Sequence, residues 1–346
     1  MTEVTVQVIV PARNEEDCIA RCLQSLTSQK GINYRITVVD DGSADRTREI
    51  AESFPGVQVV SPGDPAPGVS GKCNALIAGS KGVDAKWILF TDADTFHYSG
   101  SLAAAVAEAE EHGADLLSYS PEQETGSLFE DMLMPVVYAE LTRTYRTERV
   151  NDPNDPAAAA NGQYILVRRK VYEALEGHAA VADKLLEDVE LARIFKQTNH
   201  KILFRFGAGR VRTRMYRSFA AMWEGWTKNL AILFNYPLRL AAERLIEFYL
   251  IAILLGLALT AAVKGDVKAF APGALLGLIV YASFMNRIRR AHFPWRANLL
   301  SFLGLPLFSL LLVRSWLHSA RGEVTWKGRK YLQSAPKRAT DSSKQG

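Results

Sequence analysis

Three apolar runs in the first hundred residues end the same way, in a cluster of carboxylates. Val4–Val10 stops at Pro11-Ala-Arg-Asn-Glu-Glu-Asp17, Arg35–Val39 at Asp40-Asp41-Gly42-Ser43, and Trp87–Phe90 at Thr91-Asp92-Ala93-Asp94. Short apolar runs bounded by turn chemistry read as buried strands. The stretches between the first runs read as helices. One spans Glu15 to about Gln29, its early acids suited to a helix N-terminus, and the next spans Arg46–Ser53, capped by Ser43 or Asp45. Val57–Val60 supplies another strand. Strand–helix–strand–helix–strand at this spacing predicts an α/β protein with a parallel, doubly wound sheet. Ligands of open α/β sheets bind at the C-terminal strand ends, so the three acidic clusters are predicted to converge on one face.

The residue types at those ends suggest a chemistry. Mg²⁺ takes one or two carboxylates together with substrate phosphates, which makes Asp92 and Asp94 candidates for a metal–diphosphate site. A solvated Asp-rich turn is the alternative. The acids of the first two clusters are placed to read a nucleobase and ribose, although loop and cap chemistry also accounts for Arg13, Asn14 and Glu15. Gly71-Lys72, ahead of a helix from about Cys73 to Lys81, offers backbone N–H groups and an ammonium to a phosphate. Walker spacing is absent, and no G-x-G-x-x-G turn follows the first strand. That argues against a P-loop nucleotidase and a dinucleotide-binding dehydrogenase.

Further along, Leu102–Glu111 reads as a helix, Ala114–Tyr119 as a strand and Ser127–Arg146 as a longer helix. Asn151–Pro156 is a turn-rich junction. Ala157–Gly162 leads into a strand, Gln163–Val167, and a helix opened by Arg168, Arg169 and Lys170. This segment, closed by Glu176-Gly177-His178, can shape an acceptor pocket, while a lone His178 reads first as structural. Glu187-Asp188 opens a helix to about Gln197. The pair serves either as cap and dipole partner or as a general base taking the proton of an acceptor hydroxyl. His200–Phe206 is a further strand.

Of the 346 residues, those up to 243 have the composition of a soluble α/β protein and those from 245 to 313 are strongly apolar. The net charge is +4, and Arg205, Arg210, Arg212, Arg214 and Arg217 precede Phe219, Trp223, Trp226 and Phe234. Basic residues beside aromatic ones predict a cytosolic membrane-surface helix facing anionic headgroups. No nucleic-acid-binding signature is present. Leu245–Val263, Ala269–Met285 and Ala297–Val313 are near the lower length limit for spanning a bilayer. The basic loop Asn286–His292 belongs in the cytosol, which makes the first two runs a hairpin. Pro306 interrupts the third, and basic residues follow it. Positive-inside reasoning keeps that tail cytosolic and the third run re-entrant or interfacial, whereas a plain count of three spans puts the tail outside. The expected divisions are a catalytic domain 1–215, membrane-surface helices 216–243, transmembrane or re-entrant helices 244–333, and a disordered tail 334–346. Cys18, Cys22 and Cys73 form no zinc or disulfide pattern, which suits a reducing compartment. The N-terminal residues lead into a strand without a signal-peptide pattern.

Taken in order, Val10-Pro-Ala-Arg-Asn-Glu-Glu16, Val39-Asp-Asp-Gly-Ser43, Gly71-Lys72, Thr91-Asp-Ala-Asp94 and Glu187-Asp188 resemble the family 2 glycosyltransferases over roughly residues 4–200. Arg214-Met-Tyr216, Glu224-Gly-Trp-Thr-Lys228 and Val324-Thr-Trp-Lys-Gly-Arg-Lys-Tyr331 are similar to the membrane-bound carotenoid (diaponeurosporenoate) glycosyltransferases and, more distantly, to ceramide glucosyltransferases. The resemblance implies a GT-A fold, a nucleotide-sugar donor with UDP-sugars foremost, and Mg²⁺ or Mn²⁺. It implies that Pro11, Arg13, Glu15, Asp40, Asp41, Lys72 and Asp92 border the donor and that Asp94, with Asp92, holds the metal. Asp188, with Glu187 beside it, would be the base of an inverting transfer. Gly162, His178, Arg214, Trp226, Lys228, Trp326 and Lys327 would lie toward the acceptor or diphosphate. The expected activity is transfer of one sugar to a lipid-like acceptor (carotenoid, hopanoid or glycolipid precursor) by a multi-pass inner- or plasma-membrane protein with a cytoplasmic catalytic domain. The alternatives are a processive polysaccharide synthase, disfavoured because Q-x-x-R-W is missing, and a non-catalytic nucleotide-sugar-binding scaffold, which predicts a lost base or metal ligand.

Overall fold

Val6, Val8, Ile9 and Val10 have no exposed surface. They lie on β1 (Val6–Ala12), which pairs in parallel with β2 (Tyr34–Asp40) on one side and β4 (Trp87–Phe90) on the other. Successive side chains of a strand point to opposite faces. Val8, Val10, Trp87 and Leu89 therefore join one apolar cluster with Leu23 and Leu26. Ile9, Ile88 and Phe90 join a second with Leu76, Leu191 and Phe195. These strands are buried on both faces, which is why they read as continuous apolar runs.

The computed structural model describes residues 4–265, 267–321, 323–326 and 329–332. They fall into two compact units, 1–124 with 145–215 and 125–144 with 216–346. The first unit holds β1, α1 (Ile19–Thr27), β2, α2 (Thr47–Glu52), β3 (Val57–Val60), α3 (Gly71–Ser80), β4, β5 (Thr95–His97), α4 (Ser101–Glu111), β6 (Leu116–Ser120) and β7 (Glu122–Gln123). After an excursion through α5 (Leu128–Thr144), which belongs to the second unit, it continues with α6 (Thr147–Asn151), β8 (Ile165–Arg168), α7 (Arg169–Ala174), α8 (Glu187–Gln197), β9 (Ile202–Phe206) and β10 (Val211–Thr213).

The main sheet runs β3-β2-β1-β4-β8-β6-β9. It is mixed rather than wholly parallel, because β8 is antiparallel to both β4 and β6. The register sets Ala12 beside Asp40, Ile9 beside Phe90, and Phe90 beside Ile165. The C-terminal ends of β1, β2 and β4 and the N-terminal end of β8 therefore share one edge. A second sheet, β5-β10-β7, was not legible as strands in the sequence. Two- and three-residue strands carry no periodicity and exist by tertiary pairing.

Other boundaries moved for local reasons. α1 begins at Ile19 rather than Glu15, because Asn14 has φ +53 and the N–H groups of Glu15 and Glu16 donate to Thr47 Oγ1 (2.7 Å) and Asp45 Oδ2 (3.1 Å). The cap position of α2 is Arg46, not Ser43 or Asp45, although Asp45 Oδ1 accepts from the N–H of Thr47, the helix's first residue, at 3.0 Å. Arg205 and Arg212 lie on β9 and β10, not on a membrane-surface helix, and pair with Glu108 (2.8 Å) and Glu124 (3.0 Å). Cys18, Cys22 and Cys73 are buried and none of them forms a disulfide among the described residues.

The second unit packs α5, α9 (Phe219–Leu233), α10 (Pro237–Val263), α11 (Val267–Ile288) and α12 (Trp295–Ala320), followed by the antiparallel pair β11 (Glu323–Trp326) and β12 (Arg329–Leu332). The sequence reading placed α5 within a 1–215 domain, whereas its buried Glu140 pairs with Arg244 of α10 (3.6 Å) and Arg287 of α11 (3.3 Å). α10 starts eight residues ahead of its apolar run, since Arg239 and Glu243 pair at i,i+4 and Arg244 and Glu247 at i,i+3. Among the described residues, three helices, Pro237–Val263, Ala271–Ala291 and Trp295–Ala320, are long and apolar enough to cross a membrane. The tail after Ser334 lies outside the described residues.

Candidate active site

The first two strand ends are knitted into one wall. Arg13 donates from Nη1 to the carbonyl of Asp41 (2.9 Å) and faces its Oδ2 at 3.4 Å. Asn14 accepts at Oδ1 from Ala44 N (2.8 Å), and its own N–H donates to Ser43 Oγ (3.0 Å). Asp40 accepts from Ser43 N (3.2 Å) and lies 3.8 Å from Arg48. Pro11 precedes this wall at the end of β1. Glu15 accepts from the Cys18 thiol at 3.2 Å. Asp40 and Asp41 are buried, and Glu15 is half-buried.

The third end meets a lysine. Ser70 caps α3, accepting from Cys73 N at 3.0 Å, so Gly71 and Lys72 sit in the helix's first turn rather than ahead of it. From there the Lys72 ammonium lies 2.8 Å from Asp92 Oδ1 and 3.4 Å from Glu187 Oε1. The Asp92, Glu187 and Asp188 charges hold the Lys72 pKa well above its usual value against the opposing effect of burial.

Asp188 lies in the first turn of α8. Its Oδ2 accepts from Gly162 N (2.8 Å) and its Oδ1 from Val189 N (2.8 Å). Burial and the neighbouring Glu187 push its pKa up to about 6, with Lys72 and the two N–H donors pulling the other way. Its negative charge also helps raise the nearby Tyr145 phenol, whose own burial is the larger cause.

Asp94 is the carboxylate with an opening for a cation. Its Oδ1 is buried without a hydrogen-bond partner among the described residues. Burial, then the charges of Asp92 and Glu15, raise its pKa to about 8. No group of three His, Cys, Asp or Glu side chains among the described residues is arranged to hold a metal alone. Two carboxylates fit a hard divalent cation that completes its shell with phosphate and water.

Sequence reasoning missed what holds the Asp92–Asp94 turn. Thr95 Oγ1 donates to Asp92 O (2.7 Å), Thr91 Oγ1 to Gln163 O (2.8 Å), and Thr213 Oγ1 to Asp94 O (3.2 Å). His97 Nε2 is 3.1 Å from both Thr91 Oγ1 and Thr95 Oγ1, and burial pushes its pKa down to about 3, so the ring is neutral. The threonines flanking the acids were the available signal.

Two acceptor-side candidates are buried among aromatic side chains. His178 is buried, hydrogen-bonded to the Tyr172 hydroxyl (2.9 Å) and set edge-on to Phe90 with centroids 4.6 Å apart, so the ring is spent on packing. Burial lowers its pKa to about 4. Trp226 is buried in the second unit between Tyr138 and Tyr216. Arg214 is half-buried, and its charge helps lower the Glu124 carboxyl. Lys228 is half-buried on α9. The side chains of Trp326 and Lys327 lie outside the described residues.

β8 running against its neighbours delivers Gly162 to the edge where β4 delivers Asp92, and Gly162 in turn binds Asp188. That mixed sheet, with its acidic edge, is the GT-A glycosyltransferase architecture. A mannosyltransferase from Pyrobaculum calidifontis, solved with GDP-Man and Mn²⁺, shares the fold, with TM-score 0.50 and 17% identity over 92% of this chain and 87% of that one. A family model described as Glycosyl transferase family 2 matches residues 7–176. The 4,4'-diaponeurosporenoate glycosyltransferase of Staphylococcus aureus strain MRSA252 is 30% identical over 94% of this chain and 87% of its own length. That of strain bovine RF122 / ET3-1 is 30% identical over 94% and 88%. The chain belongs to glycosyltransferase family 2, and it is a glycosyltransferase.

Proposed function

We propose that this enzyme transfers a single sugar from a nucleotide-sugar donor, a UDP-sugar foremost, to a lipid-like acceptor at the membrane, with inversion at the anomeric carbon. The observation that carries the reading is the line of charges through Lys72. One ammonium faces Asp92, on the donor side, and Glu187, which precedes Asp188 on α8. In this reading Glu15, Arg13, Asp40 and Asp41 border the nucleoside and Lys72 attends the diphosphate. A divalent cation held by Asp94 and Asp92 would neutralise the leaving diphosphate. Asp188 accepts the acceptor hydroxyl's proton as the oxygen attacks, and a carboxylate raised toward neutrality suits that task. Its two N–H donors fix both oxygens in place. Inversion follows from a single displacement without a covalent intermediate.

The acceptor class is inferred from the second unit. Leu250, Ile253, Leu257 and Leu259 of α10 and Leu275 and Leu278 of α11 are exposed, an apolar surface that water does not support at this extent. We take α10 and α11 as a membrane hairpin. The basic Arg287–His292 stretch then lies in the cytosol with the catalytic unit. The named relatives, which act on 4,4'-diaponeurosporenoate, support an apolar acceptor with a polar end.

The test is turnover. Purified protein in detergent with Mg²⁺ or Mn²⁺ is given a panel of UDP- and GDP-sugars and a total lipid extract. The expected result is nucleoside diphosphate release with a lipid gaining one hexose mass. Donor binding with neither release nor mass shift would overturn the reading in favour of a non-catalytic binder.

A further inference from the structure

We propose that α12 lies at the level of the membrane interface, on the side of the catalytic unit, bound to anionic headgroups, and does not cross the bilayer as a third span. The proposal rests on α10 and α11 being a membrane hairpin.

The first observation is depth. Phe302 stacks on Phe248 of α10 with centroids 4.8 Å apart, and Ser309 Oγ donates to Ala241 O at 2.9 Å. The middle of α12 is therefore beside residues 241–248 of α10. That segment carries Glu243, Arg244 and Glu247, and Arg287 of α11 clasps Glu247 at 3.0 and 2.6 Å. Such a charged belt marks the wet end of a membrane hairpin, since ionised groups at the bilayer centre are expensive. The hairpin's apolar level lies further on, where Gly277 meets Leu254. A spanning α12 would have its middle at that level instead of at the belt.

The ends agree with the middle. Ser315 Oγ, near the C-terminal end, accepts from Ala231 N of α9 at 2.8 Å, and α9 precedes the hairpin. Arg296, near the N-terminal end, pairs with Asp131 in the first turn of α5. Both ends are tied to polar groups of elements that precede the hairpin.

The third observation is the surface of α12 itself. Trp295, Leu299, Leu303, Leu310, Val313 and Leu317 recur three, four or seven residues apart and are all exposed, one stripe along the whole helix. The opposite face is protein: half of the α12 apolar window is buried, against 17% for the windows of the first two membrane-length helices. From Arg287 to Arg321 the chain carries six arginines, two histidines and no acidic residue. Arg287 and Arg296 are paired with Glu247 and Asp131, and an apolar stripe beside the remaining arginines matches the acyl boundary of an anionic leaflet. The consequence is that the chain from Arg321 onward returns to the compartment of the catalytic unit.

Single cysteines at Lys264, Arg290 and Arg321 in the full-length protein, whose native thiols are buried, report the topology. Intact spheroplasts and inside-out vesicles are treated with a membrane-impermeant maleimide. Lys264→Cys is expected to label from outside, and Arg290→Cys and Arg321→Cys from inside only. Labelling of Arg321→Cys from the side of Lys264 makes α12 a span and overturns the proposal. Labelling of Lys264→Cys and Arg290→Cys from one side removes the hairpin itself, a distinguishable failure that also overturns the placement. A fluorophore at Leu310, exposed near the middle of α12, in phosphatidylcholine–phosphatidylglycerol vesicles should be quenched more strongly by a shallow nitroxide lipid than by a deep one. Stronger quenching from the deep position would put the middle of α12 at the bilayer centre and overturn the proposal.

Discussion

The backbone N–H of Gly162 donates to Asp188 Oδ2 at 2.8 Å, and a Cβ on Gly162 would stand 3.1 Å from Lys72 Nζ and 3.3 Å from Asp188 Oδ2. The glycine sits where space is short. An added Cβ is in tighter than ordinary contact with both groups, so the ammonium and the carboxylate must each give by a few tenths of an ångström. Gly162→Ala is expected to fold with a near wild-type melting temperature. Its kcat/KM should fall by about 2- to 10-fold, short of the ~100-fold loss that a displacement of about 1 Å produces in a positioned group. Steady-state kinetics beside a thermal melt check this, and unchanged kcat/KM would mean that Asp188 needs no such placement.

Asp188 should set the acid limb of the pH profile. Its basic form is the carboxylate, and its pKa is raised to about 6 by burial and by Glu187. Below that value the carboxyl carries the proton it must accept, so kcat/KM should fall about tenfold per pH unit. Above it the profile should be flat until another group titrates. Asp188→Asn removes the limb and lowers kcat by about 10²- to 10⁴-fold, the usual contribution of a positioned general base. Nucleotide-sugar affinity by calorimetry should stay near wild type. A variant that turned over at the wild-type rate would exclude Asp188 as the base.

Asp94→Ala should act on metal dependence. The native Oδ1 is buried with no hydrogen-bond partner among the described residues, while the carboxylate keeps a hydrogen bond with Thr213. The expected outcome is an intact melt, a Mn²⁺ activation constant raised by about tenfold or more, and weaker metal-dependent donor binding, in line with loss of one carboxylate from a two-carboxylate cation site. Titration of activity against Mn²⁺ and Mg²⁺ measures it. An unchanged activation constant would take Asp94 out of the site.

Much of the first unit was legible because its signals are local. Val57–Val60 and Trp87–Phe90 begin and end where the apolar runs do, and α8 opens at Glu187 where the acidic pair stands. The acidic strand ends were readable because the C-terminal edge of a sheet needs no distant partner to be recognised. What was hidden depends on residues far apart in the chain. The antiparallel direction of β8, which brings Gly162 to Asp188, has no trace in Gln163–Val167 itself. Thr213 reaches the Asp94 carbonyl across 119 positions. The charges of Arg239, Glu243, Arg244 and Glu247 looked like a helix surface ahead of a membrane run. Glu140, more than a hundred residues earlier, is the counter-charge that makes Arg244 and Arg287 part of a buried cluster.

Gly304 tests the packing of the second unit. α12 crosses α5 so closely that a Cβ on Gly304 would overlap the carbonyl oxygen of Met132 and lie 3.3 Å from Leu133 N. These are backbone atoms, which cannot swing aside as a side-chain end can. Gly304→Ala must therefore move one helix off the other. The expected cost is about 1–3 kcal/mol of overpacking, read as a lower melting temperature in detergent. Gly256 of α10 offers the control, since a Cβ there meets nothing within 4 Å. Gly256→Ala should melt no lower than wild type, because replacing a mid-helix glycine by alanine is favourable by about 0.5–1 kcal/mol. Both variants keep every group of the Asp188–Lys72–Asp92 cluster, so the first is expected to lose stability before it loses kcat. Equal melting of the two would mean that α5 and α12 do not meet at Gly304.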